Sequence, residues 1–244
     1  MDTTRFTDSR VAITGGAGGI GQAIARRLIA EGAEVYALDR RGLDKLPEGV
    51  AGIEMDLGSP ASVAAVVAGL YADDDRPVHL VNSAGIVEDD VAAIDMPIEQ
   101  FDAVIGVNLR GVFITCQAFG RELIARGGGA IVNIASMSGN AVVNFPQKQS
   151  AYNTSKAAVT ALTKSLAVEW GTSGVRLNAL SPGYVDTPLN HLKADMHDIW
   201  KRDVVVGRFA TPDEVAASVA FLLSDDAKYY IGAELLMDGG YSLR

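Results

Sequence analysis

Tyr152 and Lys156 stand four residues apart at the start of a helical pattern through Ala157, Ala158, Val159, Leu162, Leu166 and Ala167. Residues at that spacing lie one above the other on a helix face, so an ammonium sits beside a phenol. A nearby positive charge favours the phenolate and lowers the phenol's pKa, which makes Tyr152 a candidate general acid or base near neutral pH. The same pair also occurs on plain solvated helices, so its meaning depends on the rest of the chain. Ser136 comes just before it, delivered by the apolar run at 129–135 to that run's carboxyl end. Asn108 interrupts the apolar surface of a long helical pattern, either as a satisfied core amide or as part of a site.

A second constellation lies near the N-terminus. The apolar run at 11–14 stops at Gly15, and the turn Gly15-Gly16-Ala17-Gly18-Gly19-Ile20-Gly21 leads into a helical pattern through Ile24, Ala25, Leu28 and Ile29. A glycine-rich turn between strand and helix lets backbone N–H groups approach a pyrophosphate at the positive end of the helix. The spacing Gly15-x-x-x-Gly19-x-Gly21 differs from G-x-G-x-x-G, and glycine also simply punctuates turns. A second strand at 34–38 ends at Asp39, where a carboxylate can accept hydrogen bonds from the adenosine ribose hydroxyls and repel a 2′-phosphate. Arg40 and Arg41 follow and could pair with such a phosphate. With no basic residue inside the glycine turn, NAD is preferred over NADP.

The elements that must position these groups recur as strand then helix, which predicts crossover units and a parallel sheet. Strands are expected at 51–55, ending at Asp56-Leu57, at 78–81, closing on Asn82-Ser83-Ala84-Gly85, at 129–135, at 175–180 and at Glu234–Met237. Helices are expected at about 60–70, with Pro60 in the first turn, and as one continuous element at 98–125 whose apolar positions cover more than one face. That second face predicts a subunit interface. Thr211-Pro212 reads as a helix start, and residues 184–210 as an irregular substrate lid. No repeat or linker divides the 244 residues, so one domain spanning 1–244 is expected.

Composition narrows the function classes. A net charge of −9 argues against a nucleic-acid partner. No apolar run approaches the ~20 residues of a membrane span, and residues 1–10 lack the apolar stretch of a signal peptide. The single cysteine, Cys116, cannot form an internal disulfide and fits a reducing, cytoplasmic setting. His191 and His197 fall on different faces of any helix and His79 is remote, so no protein-built metal site is expected.

Thr14-Gly15-x-x-x-Gly19-x-Gly21, Asn82-x-Ala84-Gly85, Asn108, Ser136, Tyr152-x-x-x-Lys156 and Pro182-Gly183 occur in this order along nearly the whole chain. Together they closely resemble the short-chain dehydrogenase/reductase family. The resemblance implies a Rossmann-type, doubly wound, parallel seven-stranded α/β sheet with helices on both faces, and a homotetramer. It implies that Tyr152 exchanges the substrate hydroxyl proton and that Lys156 lowers its pKa and holds the nicotinamide ribose. Ser136 then bonds the substrate oxygen and Asn108 supports a water relay to Lys156. It also implies cofactor contacts from Gly15, Gly19, Ile20, Gly21, Asp39, Asp56, Leu57, Asn82, Ala84 and Gly85, and from the turn carrying Pro182, Gly183, Val185 and Thr187.

Two departures stand out: Ser83 replaces a second asparagine, and the interval from Ser136 to Tyr152 is a few residues longer than is common. That interval resembles the polyol dehydrogenases of the family, of galactitol or arabinitol type. Ser138, Asn144, Gln147 and Tyr184 are its candidate substrate residues, because buried hydroxyls need polar partners. The expected partner is a small alcohol or ketone. Alternatives are a 3-oxoacyl thioester reductase using NADPH and a non-catalytic dinucleotide-binding interaction protein.

Overall fold

The computed structural model describes residues 4–143, 146–188 and 196–244. Seven strands form one parallel sheet in the order β3-β2-β1-β4-β5-β6-β7. They are β1 (Arg10–Thr14), β2 (Glu34–Asp39), β3 (Val50–Glu54), β4 (Val78–Asn82), β5 (Gly129–Ile134), β6 (Val175–Pro182) and β7 (Glu234–Met237). The central strands are buried on both faces, which is why they read as unbroken apolar runs rather than as alternation. The chain winds outward from β1 to β3, returns, and winds the other way from β4. The change of direction leaves a crevice at the carboxyl ends of β1 and β4, where such sheets bind ligands.

Helices cover both faces. On one, α1 (Gly19–Ala30) packs against a helix at Pro212–Leu223, with Ile24, Leu28, Val219 and Leu222 buried on Ile13 and Val132. On the other, α2 (Pro60–Leu70), α4 (Val112–Ala125) and α5 (Ser150–Trp170) bury Val63, Phe119 and Val159 against Leu80, Ile131 and Leu177. Local chemistry sets the helix starts. Ser59 accepts from the Ser62 N–H ahead of Pro60, and Thr211 with Glu214 forms a full capping box ahead of Pro212.

The continuous helix expected at 98–125 is divided into α3 (Ile98–Ile105), a wide π turn over Gly106–Gly111, and α4. Backbone angles stay helical throughout, so the apolar periodicity carries no mark of the extra residue. The expected second face is present, with Ile98, Phe113 and Ile124 exposed. By length and composition this element could cross a membrane, but here it is a core helix, packed against β4 and α5. The expected irregular stretch after β6 contains α6 (His197–Asp203), and Pro212–Leu223 is then α7. Buried Trp200 anchors α6 by stacking on Tyr184, with ring centroids 4.4 Å apart, and Phe209 and Met137 complete a small third core.

Candidate active site

Helix α5 brings Tyr152 and Lys156 to the carboxyl end of β5. The Lys156 ammonium donates to the Ile134 carbonyl at 2.7 Å, and Ser136 follows two residues beyond that carbonyl. The Ser136 hydroxyl lies near enough to the Tyr152 phenol to favour its charged form. The Ser136 Oγ also accepts from the Ser138 N–H at 3.1 Å, which fixes its position. Ser136, Tyr152 and Lys156 line one cavity of about 160 Å³. Its further walls come from Ile20, Gly85 and the segment Pro182, Gly183, Tyr184, Val185 and Thr187, all expected at the site.

Burial raises the Tyr152 phenol above its ordinary 10, the Ser136 hydroxyl pulls it down, and the charge of Glu88 pushes it up. Burial alone lowers Lys156 to about 8. The expectation that Lys156 depresses the phenol is therefore corrected. Its ammonium is drawn to the Ile134 carbonyl, 5.7 Å from the centre of the phenol ring, and desolvation dominates both groups.

Asn108 lies in the π turn and is fully buried. It accepts from the Ile86 N–H at 2.9 Å and donates to the Ile86 carbonyl at 2.8 Å and to Ser155 Oγ at 3.0 Å. It is thus a satisfied amide, yet it borders Lys156: a Cβ on Gly85 would stand 3.5 Å from both side chains. Asn82 differs from expectation. Its amide points into the core, donating to Asn133 Oδ1 at 2.8 Å and accepting from Thr115 and, at 3.4 Å, from Thr14. A buried amide between two strands finds its partners inside the sheet, so its side chain is a brace rather than a cofactor contact.

The glycine turn fits a pyrophosphate. Gly15 has φ +66°, and a Cβ there would stand 2.7 Å from Ala84 Cα; on Gly21 it would meet the Gly15 carbonyl oxygen at 2.2 Å. Neither position admits a side chain. Helix α1 starts at Gly19 with no side-chain cap at Gly18 and no acidic residue in its first turn, leaving its N–H groups for an anion. Asp39 sits over this turn, its carboxylate accepting from the N–H of Ala17 at 3.2 Å and of Arg40 at 2.8 Å. Asp56 is exposed beyond β3 and accepts from the Gly58 N–H, while Leu57 packs beneath the π turn at Gly111.

Among the candidate substrate residues, Ser138 and Gln147 line the cavity, and Tyr184 donates its hydroxyl to Gln147 at 3.0 Å. Asn144 lies outside the described residues, as does the middle of the expected lid. Two residues escape sequence reasoning. Gln149, 7 % exposed, lines the cavity with an amide that has no hydrogen-bond partner among the described residues. Its place three residues before Tyr152, just ahead of α5, is a signal that could have found it. Glu88, 3 % exposed, accepts from the backbone N–H groups of Ala151 and Tyr152, and nothing in the spacing of residues 63 apart announces that contact.

A doubly wound sheet with such a cavity at its carboxyl edge is the scaffold of the Rossmann-type oxidoreductases. A family profile described as enoyl-(acyl carrier protein) reductase matches residues 15–242. The chain is 39% identical to D-threitol dehydrogenase of Mycolicibacterium smegmatis, covering 97% of this chain and 94% of that one. It is 41% identical to galactitol 2-dehydrogenase (L-tagatose-forming) of Cereibacter sphaeroides, covering 98% and 97%. A short-chain type dehydrogenase/reductase from Mycobacterium marinum superposes with a TM-score of 0.94 at 34% identity, covering 100% of this chain and 99% of that one. The chain belongs to the short-chain dehydrogenase/reductase family.

The inward amide of Asn82 makes a stability prediction. Asn82→Ala removes the donor to Asn133 Oδ1 and the acceptor shared by Thr14 and Thr115, and is expected to cost about 2 kcal/mol. Urea denaturation of the two proteins reads this directly; an unchanged midpoint contradicts the bracing role.

Proposed function

We propose that the protein is an NAD-dependent dehydrogenase that oxidises a secondary alcohol of a polyol, or of a similarly hydroxylated small molecule, to the ketone. The observation that carries this reading is the meeting of the Ser136 hydroxyl, the Tyr152 phenol and the Lys156 amine at one cavity. The similarity to D-threitol and galactitol dehydrogenases supports the substrate class.

Ser136 holds the substrate oxygen by hydrogen bonding, and Tyr152 takes the hydroxyl proton in oxidation or gives it in reduction. The Ser136 hydroxyl, beside the phenol, stabilises the phenolate as it forms. Lys156, with its pKa at about 8, can hold or release a proton near neutral pH, and it also binds the ribose. Asn108 keeps the π turn against Ile86, beside Lys156, where a water can carry the proton outward. Backbone N–H groups of the turn through Gly15, Gly19 and Gly21 hold the pyrophosphate, and Asp39 accepts from the ribose hydroxyls and disfavours a 2′-phosphate. When bound, the nicotinamide supplies the two-electron acceptor for the hydrogen on the carbinol carbon. The exposed apolar residues of α3 and α4 serve a homotetramer.

The polar wall favours a substrate with several hydroxyls. The hydroxyl of Ser138 and the amide of Gln149 reach the cavity with no hydrogen-bond partner among the described residues, so a further hydroxyl of the substrate can satisfy them. A second reading is reduction of a 3-oxoacyl thioester with NADPH; the family profile's description names a reductase of acyl thioesters, although of the enoyl rather than the 3-oxoacyl group. An assay with a 3-oxoacyl thioester and each reduced cofactor separates the two.

Absorbance of the reduced cofactor, followed with a panel of sugar alcohols, tests the main reading. Faster turnover with NADP overturns the cofactor assignment, and activity confined to other alcohols overturns the substrate class. Tyr152→Phe is expected to lower kcat by about three orders of magnitude or more with NAD binding nearly unchanged; surviving turnover means another group moves the proton. Gln149→Leu is expected to lower kcat/KM at least ~10-fold for a polyol and little for a simple secondary alcohol, because only the polyol's extra hydroxyl loses its partner. Equal losses on both substrates contradict this role.

A further inference from the structure

Helix α5 begins without a cap of its own. Gln149 at the N-cap position makes no side-chain capping bond, and the first turn holds no acidic residue. The missing acceptor comes from far away in sequence. The Glu88 Oε1 accepts from the Ala151 N–H at 2.9 Å, and both carboxylate oxygens accept from the Tyr152 N–H, at 3.2 and 3.1 Å. Glu88 is buried, and it lies three residues past Gly85, in the loop that leaves β4 at the cavity. A carboxylate at this end of a helix is stabilised by the backbone N–H groups and the helix dipole, so its negative charge is held in place. It is held at the backbone of the residue whose phenol lines the cavity.

We infer that Glu88 is a positioning residue for Tyr152: its carboxylate docks the loop after β4 onto the first turn of the catalytic helix and sets a negative charge at the backbone of the acid/base residue. This rests on the reading of Tyr152 as the acid/base group. The groups facing the phenol come from several elements. Ser136, just beyond β5, stabilises the phenolate; Lys156, one turn along α5, lies 5.7 Å from the ring centre; and the Tyr184 hydroxyl, from the segment after β6, donates to Gln147. Asp90, in the same loop as Glu88, is exposed and accepts from the Lys148 N–H. Glu88 opposes Ser136, and its charge raises the phenol's pKa. Removing that charge therefore lowers the phenol's pKa.

Glu88→Gln keeps the acceptor oxygen and the length of the side chain while removing the charge. In this variant the limb of the pH–rate profile set by the phenol is expected to move toward acid, in oxidation and reduction alike. Glu88→Asp keeps the charge and is expected to leave the limb near its wild-type position. A purely structural cap would instead make the two variants alike, or lower kcat without moving the limb, and either result overturns the inference. Glu88→Ser removes the charge in a second way should the glutamine variant not fold. If the wild-type protein oxidises no alcohol, the proposed activity fails on its own. The inference is then decided by NMR titration of ring-labelled tyrosine, with Tyr152→Phe assigning the resonance. A Tyr152 phenol that titrates alike in wild type and Glu88→Gln refutes it.

Discussion

One hydrogen bond fixes the site: the Lys156 ammonium on the Ile134 carbonyl. That carbonyl is the last of the central strand β5, and a buried backbone acceptor needs a donor. Supplying it from a long side chain on α5 sets the register of a 21-residue helix against the sheet edge. Tyr152, one turn earlier on the same face, then reaches the cavity that Ser136 enters from beyond the strand. Rotation of α5 by one residue, about 100°, would carry amine and phenol away together.

The surroundings of that bond are polar and almost wholly buried, which is costly unless every group is paired. Two closed networks meet the condition. Asn82 joins Thr14, Thr115 and Asn133, and Asn133 donates on to Thr163 of α5. Asn108 joins the loop after β4 to Ser155, whose hydroxyl donates to the Tyr152 carbonyl. These bonds are specific where apolar packing is not, so they hold the carboxyl ends of β1, β4 and β5 and the helix α5 in one arrangement. Among the described residues the Gln149 amide and the Ser138 hydroxyl have no partner and lie on the cavity wall, where a ligand can complete them.

Much of this was legible in the sequence because it rests on local rules. The doubly buried strands show as apolar runs, the glycine turn as spacing between a strand and a helix, and the start of α7 as Thr211-Pro212 with Glu214 behind it. Other features depend on partners distant in sequence, and there the residues gave no warning. The π turn keeps the helical period. Helix α6 exists because Trp200 finds Tyr184, not because its seven residues favour a helix. The inward turn of the Asn82 amide follows from Asn133 and Thr115 on other elements. The effect of Lys156 on the phenol was misjudged for a similar reason: spacing shows that two groups are close, but not how much water each has lost.

That loss of water decides the resting state of the site. Burial penalises whichever form is charged, so it raises a phenol and lowers an amine. Tyr152 starts at 10 and rises while Lys156 falls from 10.5 to about 8, which makes the amine the stronger acid of the two. Near neutral pH the phenol therefore keeps its proton, ready to be given to a ketone oxygen. Oxidation of an alcohol asks the same phenol to surrender it. The Ser136 hydroxyl favours that loss and the carboxylate at the head of α5 resists it, so the pH at which each direction runs depends on the balance between a neighbouring hydroxyl and a charge.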